Sequence, residues 1–366
     1  LNPWSLVYEG FDPCHEGLRE ALCTLGNGRF ATRGAAPEAE ADAVHYPGTY
    51  VAGCYDRLTS DVADHELTDE DMVNLPNWLP LAFATPGTEW FSPSTADLLR
   101  YRQELDMRHA VLHRMIRFRD AQGRITSVRQ RRLVSMADPY LAALETTFTT
   151  ENWSGPLRVR AGLDGRVANT GVARYRELRG DHLTQHATGV RGPLAWLRVR
   201  TRSSGVEVAL ASRVGTSSNR CEPEVERHDD HVMETRVLRL ERGRPATVVK
   251  TVALATSRDL AVADATSAAL RRAELAPGFG VLLQQHEIAW RDLWERARLE
   301  VTGPRVQRDI RLNTFHLLQT LSPHTADLDV GVPARGLHGE AYRGHVFWDE
   351  LFVLPWLTLR FPEIAR

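Results

Sequence analysis

The chain has 366 residues, 43% of them hydrophobic and 25% charged, with a formal net charge of −2. That length predicts two domains, or one domain with part of another. The balanced charge excludes a strongly basic surface for nucleic acid or an anionic membrane.

No apolar run reaches the ~20 residues of a membrane helix, and the opening Leu-Asn-Pro-Trp lacks the charged and apolar regions of a secretory signal. Cys14, Cys23, Cys54 and Cys221 have no metal-ligand spacing and are expected to be reduced thiols of a cytoplasmic protein.

The first three quarters of the chain predict strands. Residues 111–136 alternate imperfectly between apolar and polar on both sides of Asp120-Ala-Gln-Gly123, a hairpin signature. Similar pieces recur at 157–161, 194–202, 206–212, 232–240 and 246–255. Short strands between Gly, Asp and Ser turns predict an antiparallel sandwich rather than parallel βαβ units. Basic residues are almost all arginine, with Lys250 the only lysine. The alternating arginines are expected on the solvated faces of their strands.

Helical pattern begins near residue 260. Residues 261–275 are rich in Ala, Leu, Arg and Glu and stop at Pro277-Gly278. Over 279–299, Leu282, Leu283, His286, Ala289, Trp290, Leu293 and Trp294 recur at helical spacing and form an apolar stripe. After Gly303-Pro304 a third helix is expected over 306–321, with Ile310, Phe315, Leu317 and Leu318 on its buried side. A Gly- and Pro-rich loop then leads to a very apolar helix over 346–360. The predicted organisation is a β-sandwich domain at 1–260, a helical linker at 261–304 and the beginning of an all-α domain at 305–366.

Chemistry concentrates in Arg335-Gly-Leu-His-Gly-Glu-Ala-Tyr-Arg-Gly-His-Val-Phe-Trp-Asp349. A Trp beside an Asp suits a sugar: the indole covers the C–H face of a pyranose and the carboxylate accepts its hydroxyls. The competing reading makes Trp348 a core residue and Asp349 a carboxylate favoured by the helix dipole. Gly26-Asn-Gly28 matches no phosphate-binding motif and is read as a tight turn, with Asn27 or Arg29 alternatively facing an interdomain interface. The 14 histidines contain no HExxH pattern, so no metal site is expected.

Tyr342-Arg-Gly-His-Val-Phe-Trp-Asp349 resembles the strongest signature of glycoside hydrolase family 65, the inverting α-glucoside phosphorylases. Further matching pieces follow the family's order: Thr24-Leu-Gly-Asn-Gly-Arg-Phe-Ala-Thr-Arg-Gly34, Val73-Asn-Leu-Pro-Asn-Trp78, Arg132-Leu-Val-Ser-Met-Ala-Asp138, and the His286, Trp290 and Trp294 segment. The resemblance implies an N-terminal β-sandwich, a helical linker and an (α/α)6 barrel, of which this chain holds only the first helices. It implies that Trp348 and Asp349 contact the glucose under attack, with Arg343, Tyr342 and His345 near the same pocket. Many family members carry a Thr between the Asp and the next Glu. This chain reads Asp349-Glu350 directly, so no role is carried over to Glu350.

The implied reaction is inverting phosphorolysis of trehalose, kojibiose or maltose to β-glucose 1-phosphate and glucose. A glutamic acid with a raised pKa would protonate the leaving oxygen. The resemblance places that acid and the phosphate loop beyond Arg366, and none of Glu340, Asp349 or Glu350 is assigned as the acid. The implied partners are the disaccharide and inorganic phosphate as co-substrate, with no cofactor and no metal, and a homodimer by analogy with the family. One alternative is an inverting hydrolase, trehalase-like, on the same scaffold. Another is a non-catalytic carbohydrate-binding module, against which the apolar final helix argues.

Overall fold

The computed structural model describes residues 2–217 and 222–366; Cys221 lies outside them. The chain opens with β1 (Ser5–Glu9), helix α1 (Glu16–Leu22), and the short strands β2 (Leu25–Gly26), β3 (Phe30–Thr32) and β4 (Thr49–Val51). A hairpin of β5 (Tyr55–Val62) and β6 (His65–Met72) precedes β7 (Leu81–Ala84). There follow β8 (Asp97–Asp106), β9 (Val111–Arg119), β10 (Ile125–Val134), β11 (Leu141–Thr150) and β12 (Gly155–Asp164). The strand region closes with β13 (Leu183–Arg191), β14 (Leu194–Thr201), β15 (Glu207–Thr216), β16 (Glu224–Arg227), β17 (His231–Leu240) and β18 (Pro245–Thr256). Helices α2 (Ala265–Leu275), α3 (Phe279–Arg296), α4 (Pro304–Thr320), α5 (Glu350–Arg360) and α6 (Pro362–Ala365) complete it.

Nine strands form one sheet in the order β1-β8-β9-β10-β11-β18-β15-β14-β13, and four form a second in the order β16-β17-β12-β7. Every pairing in these sheets is antiparallel, as the turn-rich pattern predicts. The 111–136 hairpin is β9–β10, with Arg119 opposite Ile125 across the Asp120–Gly123 turn. Inward residues of both sheets share one core, in which Phe83 of the four-stranded sheet stacks on Phe91 at 4.7 Å and meets Phe148 edge-on at 5.1 Å. Offset and edge-to-face aromatic pairs of this kind add to the burial of their area.

The solvated-face reading of the arginines fails at Arg114 and Arg132, which are buried. Arg114 forms a forked pair with Glu38 at 2.5 and 2.7 Å, and Arg132 donates to the Ala35 carbonyl at 2.8 Å. Both partners come from the 33–38 segment, which crosses this face of the sheet. A buried guanidinium is tolerated only with such partners. Lys250 is likewise fully buried, and its ammonium donates to the carbonyls of Pro80, at 3.0 Å, and Gly162.

Helix α2 lies on the outer face of the nine-stranded sheet. Ala265, Ala269 and Ala273 meet Ala209, Ala211, Ala253 and Ala255, small residues that let helix and sheet approach closely. It starts at Ala265 rather than 261, because the Asp264 carboxylate accepts from the Ser267 amide at 2.6 Å and caps it. In α3 the stripe is buried at Leu282, His286, Trp290, Leu293 and Trp294, and Trp290 stacks on Phe315 of α4 at 5.0 Å. Helix α5 begins at Glu350 rather than 346, because Val346 bridges Pro333 instead. Helix α1 was not expected. Its seven residues carry no apolar stripe, and its buried Glu20 accepts from the His45 ring and the Tyr46 amide, both at 2.9 Å.

Candidate functional site

The segment before α5 is a loop closed on itself and pinned to the β domain. Pro333 and Val346 form an isolated bridge, and the Ala334 amide donates to the His345 carbonyl at 3.0 Å. Three polar anchors then fix the loop. Arg33 donates to the carbonyls of His338 and Tyr46, each at 2.9 Å. Glu340, 4% exposed, accepts from the Tyr50 hydroxyl and the Gly171 amide at 2.9 Å, and from the Tyr46 hydroxyl. Arg343 reaches β6, at 3.0 Å from Asp71 and 3.2 Å from Asp69, and lies over the Tyr175 ring at 4.6 Å.

These anchors hold an unfavourable backbone. Tyr342 and Arg343 both have positive φ, 56° and 57°, a region that bulky residues rarely occupy. Gly344 follows at φ 69°, where an added Cβ would lie 2.5 Å from that of Met72. Its carbonyl accepts from the Tyr55 hydroxyl at 2.5 Å. Burial pushes the Glu340 carboxyl above the usual carboxylate range, and the Asp71 carboxyl also rises through burial despite Arg343. Burial, with His316, Arg33 and Arg335 nearby, pushes His338 down to about 3. With three protein donors on it, Glu340 is a structural anchor and not a free acid.

Downstream of the anchors the side chains turn outward. Trp348 is 67% exposed in this chain and meets Phe352 edge-on at 5.7 Å. Asp349 occupies the cap position of α5, yet its carboxylate makes no hydrogen bond or ion pair among the described residues. Tyr342 is half exposed and packs against Phe347 at 5.4 Å. His345 faces Tyr55 at 5.6 Å, and its Nε2 is buried without a hydrogen-bond partner among the described residues. It lines a cavity of about 340 Å³ together with Gly53, Glu70, Asp329 and Val346. Glu350 accepts from the Val332 amide at 3.2 Å and so ties the loop start to α5.

Trp348 and Asp349 are adjacent at the start of α5, the indole exposed and the carboxylate without a partner among the described residues. Tyr342 and His345 lie on the same loop, whereas the Arg343 guanidinium is committed to Asp69 and Asp71. Sequence reasoning did not find the anchors Arg33, Tyr46, Tyr50, Asp69, Asp71 and Tyr175. Only Arg33 lay within a recognised motif; the others pair across more than 150 residues.

A large antiparallel β region leading into helices has counterparts among sugar-processing proteins. The chain is 47% identical over its whole length to an uncharacterized glycosyl hydrolase of Mycobacterium tuberculosis, covering 28% of that protein. It is 29% identical over 95% of its length to a kojibiose phosphorylase of Halothermothrix orenii and 30% identical to a trehalose 6-phosphate phosphorylase of Lactococcus lactis, covering 44% of each. A putative kojibiose phosphorylase from the human microbiome shares the fold, with a TM-score of 0.88 over 99% of this chain and 47% of that one at 20% identity. Residues 6–293 match the N-terminal domain of glycosyl hydrolase family 65, and residues 311–366 match its central catalytic domain. The chain belongs to glycosyl hydrolase family 65. It spans less than half the length of these relatives.

Proposed function

We propose that the protein containing this chain cleaves an α-glucosidic disaccharide (trehalose, kojibiose or maltose) by inverting phosphorolysis, giving β-glucose 1-phosphate and glucose. The observation that carries this reading is the match of residues 311–366, which include Trp348 and Asp349, to the family's central catalytic domain. Trp348 would cover the C–H face of the glucose and Asp349 would accept its hydroxyls, with Tyr342 and His345 beside them. Residues 305–366 would be the first helices of an (α/α)6 barrel, and 261–304 the linker from the 1–260 β-sandwich. The outward apolar residues Leu351 and Phe352 would be covered by the rest of that barrel.

On this reading no residue of the chain is the general acid, which lies with the phosphate-binding groups in the remainder of the protein. Phosphate is the nucleophile and no cofactor takes part. The protein works in the cytoplasm, as a homodimer. A second reading is trehalase-like hydrolysis on the same scaffold, by a water-activating carboxylate.

The test incubates the full-length protein with each disaccharide, with and without inorganic phosphate, following sugar phosphate by phosphorus NMR and free glucose separately. Phosphate-dependent β-glucose 1-phosphate is the expected result. Glucose released without any sugar phosphate would establish the hydrolase instead.

A further inference from the structure

The β16–β17 hairpin carries a cluster that the carbohydrate reading leaves unused. The strands pair Arg227 with Val232, and the turn closes with the His228 amide donating to the His231 carbonyl at 2.9 Å. His228 and His231 thus flank Asp229-Asp230 at facing positions, and their rings stack at 4.4 Å with an interplanar angle of 19°. Glu226, two residues before His228, projects from the same face of its strand. Its Oε1 lies 3.1 Å from His228 Nε2. One ligand atom from each of the three residues falls within 4.8 Å of the others.

We propose that Glu226, His228 and His231 form a surface site for a divalent transition metal of the zinc type. Two imidazoles and one carboxylate are a recurrent zinc donor set, which leaves the fourth tetrahedral position to water. Zinc bonds of about 2.0–2.2 Å separate neighbouring ligand atoms by roughly 3.3 Å in a tetrahedron, close to the present Glu226–His228 spacing. His231 Nδ1 lies 2.8 Å from the Asp230 carboxylate, which orients the ring and leaves Nε2 for the metal, the usual outer partner of a metal-bound histidine. The turn is held from outside: the Gly165 amide donates to the Asp230 carbonyl at 2.7 Å, and the Thr188 hydroxyl donates to the His228 carbonyl. The donors therefore need only side-chain rotation to close on an ion. The spacing Glu-x-His-x-x-His escapes a search for HExxH, because that template assumes a helix and this set stands on a hairpin.

The test titrates metal-free, tag-free protein with Zn2+ against a chromophoric chelator, comparing the natural chain with His228→Ala and Glu226→Gln. Both side chains are more than half exposed, so neither change touches the core; circular dichroism and melting verify the fold. The expected result is one Zn2+ equivalent whose affinity falls by at least about tenfold in His228→Ala, with Co2+ giving the intense visible bands of a tetrahedral site only in the natural chain. No Zn2+ uptake by the natural chain, or equal uptake and affinity in a His228→Ala/His231→Ala double variant, would overturn the proposal.

Discussion

Trp348 and Glu340 stand eight residues apart in one loop and do opposite work. Glu340 is enclosed by Tyr46, Tyr50 and Gly171, and its position, like that of Arg343 on Asp69 and Asp71, fixes where the loop runs. Trp348 touches only Phe352 among the described aromatic rings, and the proposed function puts a sugar against it. On the proposed reading, replacing it by alanine in the full-length protein should leave the melting temperature nearly unchanged, whereas a fall of several degrees would make it a core residue of the barrel. An aromatic face on a sugar is worth on the order of 1–2 kcal/mol, so kcat/KM should fall about five- to thirtyfold, mainly through KM. Steady-state kinetics on the disaccharide that proves active would check this. An unchanged kcat/KM removes Trp348 from the site.

At the scale of elements, the β2–β3 turn is the hinge between the β domain and α4. Gly28 has φ 89°, and its amide donates to the Gln319 carbonyl at 2.7 Å. The Ser322 hydroxyl donates to the Asn27 carbonyl at 2.5 Å, while the Asn27 side chain holds Ser135 and Pro139. The run is thus both a turn and the contact with the helical part, while Arg29 pairs with the buried Asp259. A Cβ on Gly28 would strain the backbone and collide with the Ser322 side chain. Gly28→Ala should therefore cost about 1–3 kcal/mol, measured by urea unfolding. Ser322→Ala should cost less in the Gly28→Ala background than alone, because it removes the hydroxyl nearest the new Cβ, while the φ strain and the contacts with Ser322 Cβ and N remain.

At the scale of the molecule, His286 ties α3 to the β domain. Its Nδ1 accepts from the Met136 amide at 3.0 Å, and its Nε2–H donates to the Ala110 carbonyl at 3.2 Å, so both nitrogens are used by the neutral ring. Burial pushes its pKa from 6.5 down to about 4. The unfolded chain takes up a proton below about pH 6.5, and the folded chain does so only near 4. Stability is therefore retained above pH 6.5 and lost as pH falls through that window. The loss is on the order of 2 kcal/mol at pH 5 and reaches roughly 3 kcal/mol only below about pH 4, where the folded chain is protonated too. Urea unfolding at pH 7.5 and pH 5 should show the drop, with a shallower pH dependence in His286→Gln.

Alternation and turn residues determined the antiparallel strands, because side-chain period and backbone turn preference are local properties. The hairpin at Asp120–Gly123 and the α3 stripe were legible for that reason, as was the loop leading to Trp348 and Asp349; α3 itself stops at Arg296, and Gly303-Pro304 opens α4. Tertiary structure alone decided which arginines turn inward, since Arg114 and Arg132 are buried only because the 33–38 segment supplies Glu38 and the Ala35 carbonyl. It also decided where α5 begins and what holds its loop. Partners such as Tyr46 and Glu340 lie almost 300 residues apart, and no local pattern announces a hydrogen bond made over that separation. The same holds in miniature for His228 and His231, whose approach depends on strand register rather than on any motif.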